Sequence, residues 1–174
     1  KAIVSEVKNE DVGSMTGVPS WMMVLLQRTL ADTGKETIAE IWPNLEVFFH
    51  GGISFKPYRD QYRKIIGKDI NYYEIYNASE GFFAIQDQPG SDEMLLMLDY
   101  GIFYEFIPMD AFDPDNLQAI PLEEVEIGKN YALVITTNSG LWRYLIGDTV
   151  KFTSLHPYRI KISGRTKHYI NAFG

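Results

Sequence analysis

Apolar and polar positions alternate between helical and extended patterns over the first 80 residues. Residues 18–34 open with a proline suited to a first helical turn and continue as a largely apolar run, which predicts a buried helix. Apolar runs at 45–49 and 71–76 predict two strands, and 57–67 between them has the spacing of an amphipathic helix. A strand, a helix and a second strand in this order predict a parallel pair with a right-handed crossover. Ligands of such sheets bind at the carboxyl ends of the strands.

From residue 82 onward the pattern changes to alternating or continuous extended runs, which predict a β-meander or a barrel. A turn is predicted at 89–92, and the acidic, proline-bearing stretch 108–120 is typical of a long surface connection. The predicted strands are 82–86, 94–99, 103–107, 131–137, 141–146, 150–153 and 159–163.

Residues 13–19 mimic a glycine-rich phosphate loop in front of a helix. Ser20 stands where such a loop needs a lysine, and no convincing strand precedes the segment. We therefore interpret these residues as the entry to the helix.

Composition and net charge argue against several classes of partner and binding site. The chain has 174 residues, 45% of them hydrophobic, which is enough for one domain or for part of a larger one. Its net charge of -7 would repel a phosphodiester backbone, so nucleic acid is not expected as a partner. With no cysteine and three scattered histidines, neither a disulfide framework nor a zinc cage is expected. No apolar run has the length of a membrane span and no signal-peptide pattern is present, so we expect a cytoplasmic protein without membrane partners.

Candidate nucleotide chemistry follows the strand predicted at 71–76. The ring of Tyr76 can stack on a purine, the hydroxyl of Ser79 can donate to a phosphate oxygen, and Glu80 can hold Mg²⁺. The alternative is an ordinary turn in which the serine caps the backbone and the glutamate is solvated.

Three further positions admit both a binding and a purely structural interpretation. Gly51 and Gly52 permit the close backbone approach that an adenine edge requires, or they turn the chain toward the next helix. Asp148 can accept both hydroxyls of a ribose, or it belongs to a common hairpin turn. Arg165 and Lys167 can bind a phosphate, or they lie in a solvated turn.

The order of these motifs resembles the Gretchen Hagen auxin-responsive family of acyl acid amido synthetases, in its bacterial form, within the adenylate-forming superfamily. Residues 76–81 match the family's Tyr-x-x-Ser-Glu motif, and 141–150 match its Leu-Tyr-Arg-Tyr-Arg-x-Gly-Asp-Val motif. Residues 41–45, Ile-Trp-Pro-Asn-Leu, also fit, and Gly164-Arg165 resembles the superfamily's hinge. The resemblance runs from about residue 18 to the end of the chain.

The resemblance implies an α/β (α+β) fold, part of an adenylate-forming large domain in which a partial parallel sheet with helices is followed by a mostly antiparallel β-region. We expect an α/β portion at 1–80, a β-rich portion at 81–163 and the start of a hinge at 164–174. The implied ligase reaction uses ATP and Mg²⁺ to activate a carboxylic acid as an acyl-adenylate, which then reacts with an amino acid. Glu80 and Arg165 are the implied catalytic groups.

Each implied role falls on a matched position. Gly51 and Gly52 would lie along adenine, Tyr76 would stack on it, Ser79 would contact the α-phosphate, Glu80 would hold Mg²⁺, Asp148 would bind the ribose hydroxyls, and Arg165 would reach the ribose or a phosphate.

The sequence departs from the family pattern in three places. The first motif, a Ser/Thr/Gly-rich phosphate loop, is absent, as is the carboxy-terminal domain, and Trp142 and Leu145 replace a tyrosine and an arginine of the third motif. We therefore expect an internal fragment that is inactive alone and leaves an apolar face uncovered, through which it self-associates. Two alternatives stay open: an acyl-CoA-ligase-like enzyme with a thiol acceptor, and a noncatalytic nucleotide- or ligand-binding module.

Overall fold

The computed structural model describes residues 2–166, which fall into two compact units divided between residues 77 and 78. Within residues 2–166, none of the helices combines the length and the apolar character that crossing a bilayer requires.

The first unit is a small parallel sheet with helices. Strand β2 lies between β1 and β3 and pairs with both in parallel, which confirms the predicted parallel pair. The strand β1 was not predicted, because residues 13–19 were interpreted only as a helix entry. Its register places Met15 beside Phe48 and Gly17 beside His50. In chain order the elements are α1 (Ala2–Val7), β1 (Ser14–Gly17), α2 (Pro19–Thr33), β2 (Val47–His50), α3 (Arg59–Ile66) and β3 (Asn71–Ala78).

Helix α2 begins and ends where the sequence predicts. Pro19 occupies its first turn, where the missing N–H costs nothing, and the backbone N–H of Gly34 donates to the carbonyl of Leu30 at 2.8 Å. The prediction that the whole helix is buried is wrong, because Trp21 and Val24 are 76% and 66% exposed. Only one face of α2 packs against the rest of its unit.

The core of the first unit lies between the helices and one face of the sheet. Phe48 of β2 stacks on Tyr62 of α3, with ring centroids 4.9 Å apart, and Leu26 of α2 is fully buried in the same cluster. The Tyr62 hydroxyl donates to the carbonyl of Pro19 at 2.7 Å, so the ring is buried with its polar atom satisfied. These contacts fix α2 and α3 against the strand that carries the predicted glycine loop.

The second unit is antiparallel, with the strand order β4-β5-β10-β9-β8-β6-β7. The sequence predicted a β-meander or a barrel, and the position of β10 between β5 and β9 shows that the meander is wrong. The runs predicted at 141–146 and 150–153 belong in part to a single strand, β9. The strands are β4 (Gly81–Ile85), β5 (Met94–Leu96), β6 (Ile102–Pro108), β7 (Ile120–Pro121), β8 (Asn130–Thr137), β9 (Tyr144–Leu155) and β10 (Tyr158–Arg165).

Aromatic packing and one ion pair hold the second unit together. Phe106, Tyr131 and Phe152 meet edge to face at centroid distances of 5.0–6.1 Å. Arg159 of β10, only 7% exposed, donates through both terminal nitrogens to the carboxylate of Asp87. This bidentate pair ties β10 to the segment that follows β4, and the guanidinium holds the pKa of Asp87 below its ordinary value.

Candidate active site

The loop after β2 lies against the end of the neighbouring strand. A Cβ atom at Gly51 would stand 2.5 Å from the carbonyl oxygen of Ile75 and 3.5 Å from the side-chain oxygen of Asn77. Gly52 has φ +80°, a left-handed conformation that side chains other than glycine adopt at a cost. Both glycines are thus required by the backbone itself, and together they hold the loop at the carboxyl ends of two parallel strands.

Tyr76 lies between Ile75 and Asn77 on β3, the strand that pairs with β2. Its side chain is 4% exposed. The glycine loop and the strand that carries Tyr76 are therefore neighbours in the first unit. The stacking of Tyr76 on adenine stays a prediction.

Ser79 and Glu80 form the turn between β3 and β4. Ser79 is exposed and Glu80 is half-buried. Among residues 2–166, no three acidic or histidine side chains converge as a self-sufficient metal site. A single carboxylate on a turn fits a Mg²⁺ ion that arrives with its phosphates, because such ions take one or two protein carboxylates and complete their coordination with phosphate oxygens and water.

Asp148 and Arg165 face each other across β9 and β10. The two residues are in register, and Nε of Arg165 lies 3.0 Å from a carboxylate oxygen of Asp148. The Asp148 side chain is 21% exposed and the Arg165 side chain 57% exposed. An anion and a cation are therefore fixed side by side at the surface of the second unit, where both remain accessible to a polar ligand.

Irregularities in both strands surround this pair. Opposite β8, strand β9 carries extra residues where Gly147 adopts φ +91°, and β10 shifts register between Ile162 and Gly164. Bulges of this kind redirect side chains, and they are frequent beside active sites. The backbone N–H of Thr166 donates to the carbonyl of Gly147 at 2.8 Å and ties the end of β10 to the bulge of β9. Asp148 consequently lies within a strand and not in the hairpin turn that was the alternative.

The sequence did not predict which charges would pair. Arg143 donates to Glu105 at 3.0 Å and has φ +45°. The pair of Arg159 with Asp87 joins positions 72 residues apart and leaves no local signal in the sequence. Lys167, the second cation predicted for a phosphate, lies outside the described residues.

His50 is the buried ionisable group next to the glycine loop. It is 4% exposed, and its Nδ1 atom has no hydrogen-bond partner among the described residues. Burial, and secondarily the charge of Arg59, lower the pKa of His50 to about 4, so the imidazole is neutral at physiological pH. His50 is therefore a buried residue of the first unit.

Two domain models of one family match the chain in order. The GH3 family N-terminal domain matches residues 2–70, and the GH3 family central domain matches residues 95–165. Indole-3-acetic acid-amido synthetase GH3.4 of Arabidopsis thaliana is 33% identical over 129 residues, which cover 68% of this chain and 21% of that protein. Jasmonoyl--L-amino acid synthetase JAR4 of Nicotiana attenuata is 32% identical over 129 residues, 68% of this chain and 22% of that protein. The chain thus spans about a fifth of the length of these relatives.

Solved structures share the fold. AtGH3.15 acyl acid amido synthetase in complex with 2,4-DB superposes with a TM-score of 0.72 at 16% identity, over 98% of this chain and 39% of that one. A 2-hydroxyisobutyryl-CoA ligase in the postadenylation state gives a TM-score of 0.65 at 19% identity, over 95% of this chain and 35% of that one. The mixed α and β fold predicted from the sequence, that of adenylate-forming enzymes, is confirmed.

Proposed function

Because the chain belongs to the GH3 family, we propose that it is part of an ATP-dependent adenylate-forming ligase. The carboxylate of an acyl acid attacks the α-phosphorus of ATP, pyrophosphate leaves, and an acyl-adenylate forms. The amine of an amino acid then attacks the acyl carbon, loses a proton and displaces AMP, which gives an amide. Relatives named as synthetases of amino acid conjugates support an amino acid as the acceptor.

The observation that carries this proposal is the ion pair of Asp148 with Arg165. The two residues come from different motifs, and each was assigned to the same nucleotide. Their separation of 3.0 Å, with both side chains accessible, suits a ligand that carries ribose hydroxyls next to a phosphate. Asp148 would accept the hydroxyl protons in hydrogen bonds, and Arg165 would donate to the ribose or to the phosphate.

We assign the base and the remaining phosphate contacts to the other predicted residues. Gly51 and Gly52 would offer backbone atoms along the adenine edge, and Tyr76 would contribute its ring. Ser79 would donate to the α-phosphate. These residues would raise the reaction rate by positioning the substrates and stabilising charge. No covalent intermediate between substrate and protein is required.

Glu80 is the group that we assign to Mg²⁺, which when bound would neutralise charge on the phosphates. Glu80 lies half-buried in the turn between β3 and β4, a position that supports one carboxylate contact to an ion shared with the substrate.

We further propose that the chain self-associates through α2 and that the protein is cytoplasmic. Trp21 and Val24 lie one turn apart on α2 and are both exposed, which supports an apolar contact surface. The absence of cysteine is compatible with a reducing compartment.

Exchange of labelled pyrophosphate into ATP tests the reaction. A protein that contains this chain at the full length of the family is incubated with ATP, Mg²⁺ and a panel of carboxylic acids. Acid-dependent exchange supports an adenylating enzyme, and its absence with every acid favours the noncatalytic binding module. Adding amino acids or coenzyme A then identifies the acceptor as an amine or a thiol, and thereby separates the amido synthetase from the acyl-CoA ligase.

A further inference from the structure

Two aromatic rings bracket the glycine loop of the first unit. His50 is the last residue of β2, Phe55 follows residues 51–54, and the two rings stack with centroids 4.3 Å apart at an angle of 22°. Both side chains are buried, at 4% and 5% exposure. The residue before the loop and the residue after it therefore contact each other and close the loop at its base.

Phe55 is itself held firmly on its other sides. Tyr72 of β3 lies 4.9 Å from it and Tyr62 of α3 lies 5.2 Å from it, between ring centroids. The guanidinium of Arg59 stands 5.7 Å from the Phe55 centroid, within the range of a cation–π contact. These contacts hold Phe55 in the core. Its stack with His50 therefore restricts the movement of the end of β2, where the loop begins.

A histidine ring at this contact stabilises the fold less than an apolar ring would. A buried polar atom without a hydrogen bond destabilises a fold, and Nδ1 of His50 has no hydrogen-bond partner among the described residues. A phenyl ring would make the same stack without that cost. The ring, and not a hydrogen bond to the described residues, is therefore what position 50 contributes to the loop.

We propose that His50 is a positioning residue whose ring, stacked on Phe55, holds Gly51 and Gly52 in the conformation that receives the base of a mononucleotide. The identity of the ligand rests on the function proposed above, whereas closure of the loop does not. Ordering the loop is costly because a glycine backbone loses the most conformational freedom, and a contact that closes the loop at its base offsets part of that cost.

Amide hydrogen exchange and AMP binding test the proposal in the 174-residue chain. H50A removes the ring, F55L removes its partner while keeping apolar volume, and H50F keeps the stack but has no polar atom. We expect exchange in peptides covering residues 51–54 to accelerate at least tenfold in H50A and F55L, and AMP affinity to fall at least tenfold. In H50F both quantities should stay within threefold of wild type, since the conservative ring rescues the loop.

The outcomes separate the loop clamp from the nucleotide assignment. Unchanged exchange at residues 51–54 in H50A overturns the proposal, as does acceleration that is equal throughout residues 2–77, which would indicate global destabilisation. If H50F behaves like H50A, the stack is not the basis of the effect and the proposal fails. If wild type binds no AMP while H50A exchanges faster at 51–54 alone, the clamp is supported and the assignment of the nucleotide base to this loop fails, whereas the pyrophosphate exchange described above decides the proposed function.

Discussion

A carboxylate oxygen of Asp148 lies 3.0 Å from Nε of Arg165, in register across β9 and β10. The two residues belong to separate sequence motifs. The pairing of β9 with β10 places them next to each other, so no loop has to move to bring them together. Both side chains are partly exposed, at 21% for Asp148 and 57% for Arg165, so a polar ligand can reach the pair.

We expect D148A to weaken AMP binding to this chain at least tenfold, measured by isothermal titration calorimetry. The substitution removes the acceptor of the ribose hydroxyls and also the partner that orients Arg165. K161A is the matched control, since it breaks the exposed pair of Lys161 with Asp92 on the same strand, β10. Equal affinity in D148A and wild type would exclude Asp148 from the nucleotide site.

G51A tests whether the glycine loop depends on its close approach to β3. A Cβ there would meet the carbonyl oxygen of Ile75 at 2.5 Å, so the loop or the strand must move. We expect the free energy of unfolding to fall by about 1–3 kcal/mol, measured by urea denaturation. In the control G13A the nearest neighbour is at 3.8 Å, an ordinary contact, so a similar loss in both variants would contradict the steric explanation.

His50 should make the stability of the first unit sensitive to mild acid. A base whose pKa falls on folding binds its proton more readily in the unfolded chain, so stability decreases as the pH falls from about 6.5 toward about 4. Between pH 7.5 and pH 5.0 we expect wild type to lose about 2 kcal/mol relative to H50F, which has no titrating group at this position. Urea denaturation at both pH values measures the difference, and parallel pH profiles would contradict it.

Replacing Asp87 by asparagine should deprive the buried guanidinium of Arg159 of the charge of its partner carboxylate. We expect D87N to lower the free energy of unfolding by about 1–2 kcal/mol at pH 7, less than for a fully buried pair because Asp87 is partly exposed. The pKa of Asp87 is lowered on folding, so its contribution is present above the ordinary value near 3.8 and is lost as the pH falls below it. Wild type and D87N should therefore converge in stability on strong acidification, and an undiminished difference at pH 2 would refute the pair's role.

Self-association should depend on the exposed face of α2. We expect W21S to shift sedimentation velocity profiles toward the monomer at concentrations where wild type associates. W142S is a control of comparable exposure in the second unit, at 82% against 76% for Trp21. If W142S dissociates the complex and W21S does not, the contact surface lies in the second unit.

Strong apolar patterns predicted most of the fold, and tertiary pairing determined the rest. The helix at 18–34 and the parallel strands around 47–50 and 71–78 could be predicted because each has a long or regular apolar signal. Strand β1 could not, because Ser14–Gly17 contributes a single buried residue, Met15, and forms a strand only through its pairing with β2. Its polar, glycine-bearing sequence favours a loop when considered locally.

The structure shows where the candidate site residues lie, and their roles remain predictions. Family motifs proposed Gly51, Tyr76, Asp148 and Arg165. The structure places Gly51 beside β3, which carries Tyr76, and it pairs Asp148 with Arg165. That all of them contact one nucleotide, and that the portions 1–80, 81–163 and 164–174 act as predicted, remain predictions. The sequence could not predict that Asp148 pairs with Arg165. That pairing depends on the register of β9 with β10, which the alternation of side chains alone does not specify.

The bulge at Gly147 makes the site sensitive to the length of the chain. Asp148 lies beside the extra residues that β9 inserts opposite β8. Deleting one of them would shift the alternation by a single position and turn the carboxylate toward the opposite face of the sheet. A one-codon deletion would thus redirect the anion without removing it, and Gly147 cannot take a side chain without strain because of its left-handed backbone.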